Sequence, residues 1–141
     1  MQTDRADDLS SIYVPLRLIY GLVPIVAGLD KFANLLTNWE RYLPPALART
    51  PLISATSFMR VVGVIEIVAG LAVLTAFTRL GAYVVMAWLA LIAATLIAAG
   101  HFDIAVRDLV MAAGAYTLAR VAGLRNEPWI PAAHKTQTRA A

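Results

Sequence analysis

The 141-residue chain is 60% hydrophobic and 15% charged, with a formal charge of +3 and a mean hydropathy of +0.68. Soluble domains carry about a quarter of their residues charged, and a chain this short has no interior able to hide long helices that are apolar all round. The absence of cysteine removes disulfides, thiol redox chemistry, iron–sulfur ligation and thiolate metal sites. The small positive balance reads as loop charge that orients a membrane protein, not as a nucleic-acid patch.

Residues 1–11 form a polar N-terminal tail. The first apolar block, about 12–36, is too long for a signal-peptide core and ends in no small-residue cleavage pattern, so it is expected to stay as a helix. As a helix it reaches about 37 Å, enough to cross a bilayer with tilt. The connection that follows, Thr37 to Pro51, holds Trp39, Arg41, Tyr42, Pro44, Pro45 and Arg49, a mixture that suits a segment lying in the headgroup layer. Further apolar blocks occupy about 52–77, 80–99 and 103–121, joined by Thr78–Arg79 and by Gly100–His101–Phe102. Links this short make neighbours antiparallel. The fold expected is therefore all-α: four transmembrane helices in an up-down bundle, followed by a flexible tail over 122–141.

Arg5, Arg79, Arg120, Arg125, Lys135 and Arg139 share one side, and Arg41 and Arg49 lie on the other with Lys31 close by. The positive-inside rule then puts both termini in the cytoplasm, the expected setting being a bacterial inner membrane crossed several times.

Charges inside the helices are the informative residues, because an ionisable group at the membrane centre costs at least about 2.5 kcal/mol. Arg17, Gly21, Pro24, Gly28 and Lys31 fall within an arc of roughly 80° on the first helix. Met59, Gly63, Glu66 and Gly70 share a face of the second. Glycines so placed let helix backbones approach closely, so Gly21, Gly28, Gly63 and Gly70 mark a packing face and Glu66 stands between two of them. In the fourth helix Asp103 and Arg107 have pairing distance in sequence, and Asp108 lies beside a stripe of alanines. By rise per residue Asp30, Lys31, Arg107 and Asp108 fall roughly 7–10 Å below the outer end, Arg60 about 12 Å and Glu66 about 21 Å. Arg17, Lys31, Arg60, Glu66, Arg107 and Asp108 are accordingly expected to form one buried charged network, with Lys31, Arg60 or Arg107 as partner to Glu66. A plainer account stands beside this: Arg17, Asp30, Lys31 and Asp103 can snorkel to an interface, and Arg107–Asp108 can act as a clamp. Glu66 has no easy exit.

The segments LRLIYGLVPIVAGLDKF, RVVGVIEIVAGLAVL and DIAVRDLVMAAGAYTLA together resemble the DoxX family of small four-helix bacterial membrane proteins. The resemblance runs from about Leu16 to Leu118 and implies association with membrane-linked redox, as in subunits of thiosulfate:quinone oxidoreductase or partners in oxidative stress. Arg17, Gly28 and Lys31, Glu66 and Gly70, and Arg107 and Asp108 match its motifs. Without cysteine the chain does not handle sulfur covalently by itself.

Three functions follow as expectations. The first is a subunit of a quinone-linked redox assembly, its charges binding a quinone head, guiding a proton or docking partner helices. The others are a small oligomeric transporter, since intramembrane charges also mark substrate paths, and a scaffold in which charges only set helix register. No intrinsic cofactor or metal is expected. His101 and His134 cannot flank one haem, and Met59, Met86 and Met111 are ordinary apolar filling. With no nucleotide loop or nucleophile triad, the chain is not expected to be catalytic alone. Its expected partners are lipid, redox subunits or copies of itself, with no nucleic acid.

Overall fold

A computed structural model describes residues 2–45 and 54–130, with side chains described from residue 9 onward. Helix α1 spans Gln2–Ala33, α2 Ala55–Leu74, α3 Thr78–Ala98 and α4 Phe102–Leu124, with a short 3-10 turn at Trp39–Tyr42. Leu9–Ala33, α2 and α3 are each long and apolar enough to cross a membrane. Their outward faces carry exposed Leu18, Leu22 and Val26, Val61, Val64 and Val68, and Val84 and Leu91. A soluble monomer does not expose apolar surface on this scale. The chain is a helical, multi-pass membrane protein. Helix α4 has at least three charges within any window of spanning length, through Asp103, Arg107, Asp108 and Arg120, and is not among those three spans.

The boundaries differ from expectation where capping chemistry intervenes. Residues 2–11, expected as a tail, continue α1 as helix. Helix α1 stops at Ala33 because Asn34 takes the left-handed conformation (φ 50°) and donates its backbone N–H to Asp30 O. Ser54 caps α2 through the Ser57 N–H. The expected start at Leu52, Arg49, and the tail from residue 131, including Lys135 and Arg139, lie outside the described residues, as does the Arg5 side chain. Residues 126–130 leave the helix but are held: Trp129 stacks on Tyr83 with ring centres 5.4 Å apart, contrary to the free tail expected there.

Helices α1 and α2 pack antiparallel with their glycines interlocked. A Cβ added to Gly28 would stand 2.5 Å from Gly63 O, and one added to Gly63 would stand 2.6 Å from Gly28 O. Gly70 meets Gly21 in the same way seven residues along. Continuing this register brings Arg17 to the end of α2. Its Nε donates to Val73 O at 3.1 Å, and its Nη2 to Leu74 O and Thr75 O, both at 2.8 Å. The last carbonyls of a helix lack partners and carry partial negative charge, so one guanidinium satisfies three of them. Arg17→Met is expected to lower unfolding stability by about 2 kcal/mol, read by denaturant titration in micelles. Arg17→Lys should restore only part, since a single ammonium lacks the planar fork. A wild-type midpoint for Arg17→Met would contradict the capping role.

The hairpins α1–α2 and α3–α4 pack more closely within themselves than against each other. At the end bearing the N-terminal turns of α1 they meet in a solid core of Tyr13, Tyr20, Val73, Ala82, Val85 and Leu118, with Ala115, Ala119 and Ala122 of α4 admitting close approach. Towards the opposite end the hairpins part.

Candidate functional site: a roofed cavity between the helix hairpins

The space between the hairpins is a cavity of about 570 Å³, within the size range of small-molecule sites. Tyr20, Ala69 and Val85 belong both to its lining and to the core beneath. Its walls are mainly apolar: Val23, Pro24 and Ala27 from α1, Phe58, Met59 and Val62 from α2, Leu89 and Ile92 from α3, and Ile104 and Met111 from α4. The charged residues in its lining are Lys31, Glu66, Arg107 and Asp108, joined by the indole of Trp88.

Lys31 Nζ lies 2.6 Å from Glu66 Oε2, and the two side chains are 4% and 8% exposed. The glycine register puts Lys31 level with Arg60 and about 9 Å further out than the Glu66 backbone. The pair closes because side chains tilt towards the N-terminus of their own helix. In antiparallel partners, that sends Lys31 inwards and Glu66 outwards. The depth difference expected from sequence is thus spanned by the side chains.

Asp108 is also buried and lines the same cavity as Lys31 and Glu66. Among the described residues Arg107 pairs with its neighbour alone, Nη2 and Nε each standing 3.2 Å from Asp108 Oδ1, while its side chain is 63% exposed. The pairing foreseen between Asp103 and Arg107 gives way to this contact. Asp103 is exposed in the first turn of α4, where the helix dipole favours an acid. Arg60 is exposed and outside the cavity. Arg17 is engaged at the far end of α2. The single network expected of six residues therefore resolves into a Lys31–Glu66 pair, an adjoining Arg107–Asp108 pair, a helix cap and a surface arginine.

The described part of the connection after α1, residues 34–45, roofs the cavity. Asp30 Oδ1 accepts the backbone N–H groups of Leu35 and Leu36 at 2.8 and 2.9 Å, and Oδ2 accepts Trp39 Nε1 at 2.7 Å. The Trp39 ring, so held, covers Lys31 Nζ at 3.7 Å from its centre. Tyr42 then packs edge-on against His101, centres 5.5 Å apart, tying the roof to the α3–α4 link.

Two contributors escape the sequence argument. Trp39 is recognisable only as an interfacial aromatic. Trp88 sits in the charge-free middle of α3, where a buried indole N–H needs an acceptor. Its Nε1 is buried and directed at the Glu66 carboxylate, without a hydrogen bond of good geometry to it or to any other described residue. The slot thus sets an ammonium, a carboxylate and a buried indole N–H into an otherwise apolar wall. Compared with protein-family models, curated proteins and solved structures, the chain matches none.

Proposed function

We propose that this chain is a DoxX-like integral membrane subunit of a quinone-linked redox assembly, and that the roofed cavity takes the quinone ring. In this reading α4 crosses the bilayer beside α3, and both termini face the cytoplasm of a bacterial inner membrane, where Arg79, Arg120 and Arg125 collect. Helix α4 reaches about 34 Å. Lying against α3, it can bury Asp108 in the bundle and leave Arg107 near the outer rim.

The observation that carries the proposal is the buried Lys31–Glu66 ion pair in the wall of an otherwise apolar cavity, with the Trp88 indole N–H turned towards the same carboxylate. A bound quinone supplies a two-electron, two-proton couple, with electrons drawn from a partner oxidoreductase. Trp88 donates to one ring oxygen. Lys31, held between Glu66 and the Trp39 face, offers an ammonium hydrogen to the same side. The Lys31–Glu66 pair would hold one transferable proton beside the ring oxygens, itself replenished from the aqueous side, from which the second proton would also be drawn as the partner's electrons arrive. The apolar walls lower the local polarity, which strengthens these contacts.

Native mass spectrometry from nanodiscs of native lipid tests the binding. Wild type is expected to retain a quinone. Trp88→Phe, which removes one hydrogen bond of about 1 kcal/mol, should lower retention about fivefold. Retention of no quinone, or equal retention by both proteins, would contradict the assignment.

A scaffold is the second reading. It is favoured by the position of Lys31–Glu66 beside the Gly28–Gly63 contact, where the pair also fixes helix register.

A further inference from the structure

At the end of the bundle away from the cavity, Arg79 opens α3 and its guanidinium lies 4.0 Å from the centre of the Trp129 ring. Its other side faces Gly123 of α4, where an added Cβ would stand 3.4 Å from Arg79 Cζ. Trp129 stacks on Tyr83 with planes 16° apart, and Tyr83 meets Tyr116 edge-on. Tyr116, Arg120 and Gly123 fall on one stripe of α4, as Arg79 and Tyr83 do on α3. Two arginines and three aromatic rings thus gather along the outer seam of α3 and α4, with Tyr116 and Trp129 each about half exposed.

Among the described residues the basic charge of this patch is unanswered. Arg17, at the same end, is committed to three carbonyls. Arg125 bonds Ser10 and faces Glu127. Arg79, by contrast, makes no hydrogen bond or ion pair among the described residues, and its Nε is buried without an acceptor. Arg120 is exposed and likewise has none among them. A guanidinium fork matches the oxygens of a phosphate, and one already fixed by stacking loses little freedom when an anion arrives. The neighbouring exposed Leu80 and Val84 face lipid, so the patch falls where tryptophan, tyrosine and arginine meet the phosphate layer.

We infer that this seam binds the phosphate headgroup of an anionic phospholipid, gripped by Arg79 and Arg120 and bordered by Trp129 and Tyr83. The site is separate from the cavity and independent of what the cavity holds. The lipid would fasten the C-terminal end of α4, through Trp129 and Gly123, to the first turn of α3.

The full chain, released from nanodiscs of equal parts phosphatidylcholine and phosphatidylglycerol, provides the test by native mass spectrometry. Wild type should emerge enriched in phosphatidylglycerol. Arg79→Gln and Arg120→Gln should each reduce that enrichment about fivefold, and together about twenty-five-fold, as expected for roughly 1 kcal/mol per arginine. Arg60→Gln, at the opposite end, should leave it unchanged, and added inorganic phosphate should not strip the lipid. Unchanged enrichment in the double variant would overturn the site. Equal loss in Arg60→Gln would reduce it to bulk charge, and displacement by inorganic phosphate would make it a general anion site. If Arg79→Gln fails to fold because its stack anchors Trp129, the exposed Arg120 still decides the matter through Arg120→Gln.

Discussion

Gly63→Leu is expected to separate α1 from α2 and to leave a chain that inserts but does not assemble its bundle. The added Cβ would stand 2.6 Å from Gly28 O, a backbone atom that cannot swing aside. The rest of a leucine side chain would meet Phe32 and the Lys31 stem, both at the same contact. Overpacking a core typically costs about 1–3 kcal/mol, and this site should reach or exceed the top of that range, because relief requires moving a whole helix. Moving α1 outwards would also pull Arg17 from the carbonyls of α2 and Lys31 from Glu66. Unfolding in mixed micelles, with limited proteolysis of the first connection, provides the measurement. Gly63→Ala should be milder but still destabilising. A Gly63→Leu variant with wild-type stability would mean that the helices do not interlock as described.

The second large effect concerns the buried pair. Lys31→Met should destabilise by about 3 kcal/mol, because it leaves Glu66 without its counter-ion in an apolar wall. Changing both residues to methionine should recover most of that loss, since two apolar side chains of similar volume need no counter-charge. Stability and ligand retention are expected to part company in the double variant: the fold returns and the quinone does not. Recovery of both would favour the scaffold reading.

Much of the α1–α2 hairpin was legible in the sequence because its signals are periodic. Gly21, Gly28, Gly63 and Gly70 recur at intervals that a straight helix keeps on one face, and their contact then fixes which charges stand level. The choice among Lys31, Arg60 and Arg107 as partner of Glu66 was not legible. It depends on side-chain tilt in opposite directions and on a register that only the packed glycines define. Arg17 was read as part of the inner network because it shares a face with Lys31, yet fourteen residues, about 21 Å of helix, separate them. A residue's azimuth can be read from sequence far more easily than its level against a neighbour.

The roof was hidden for a different reason. Nothing periodic links Asp30 to Trp39, and the pairing arises from a short turn after Asn34 that brings two backbone N–H groups and an indole onto one carboxylate. Trp88 gave no signal because its helix contains no other polar group near it. The cavity itself results from the looser meeting of two hairpins, which no single helix records.

The most direct measurement is photolabelling with a short-chain azido-quinone in nanodiscs, followed by peptide mapping of the labelled residues. Binding in the cavity predicts labels on Phe58, Met59 or Val62, on Trp88, Leu89 or Ile92, or on Met111, with labelling lost in the Lys31→Met/Glu66→Met chain. Labels confined to the lipid-facing Val64, Val68 and Val84, or unaffected by that double change, would contradict a quinone site inside this bundle.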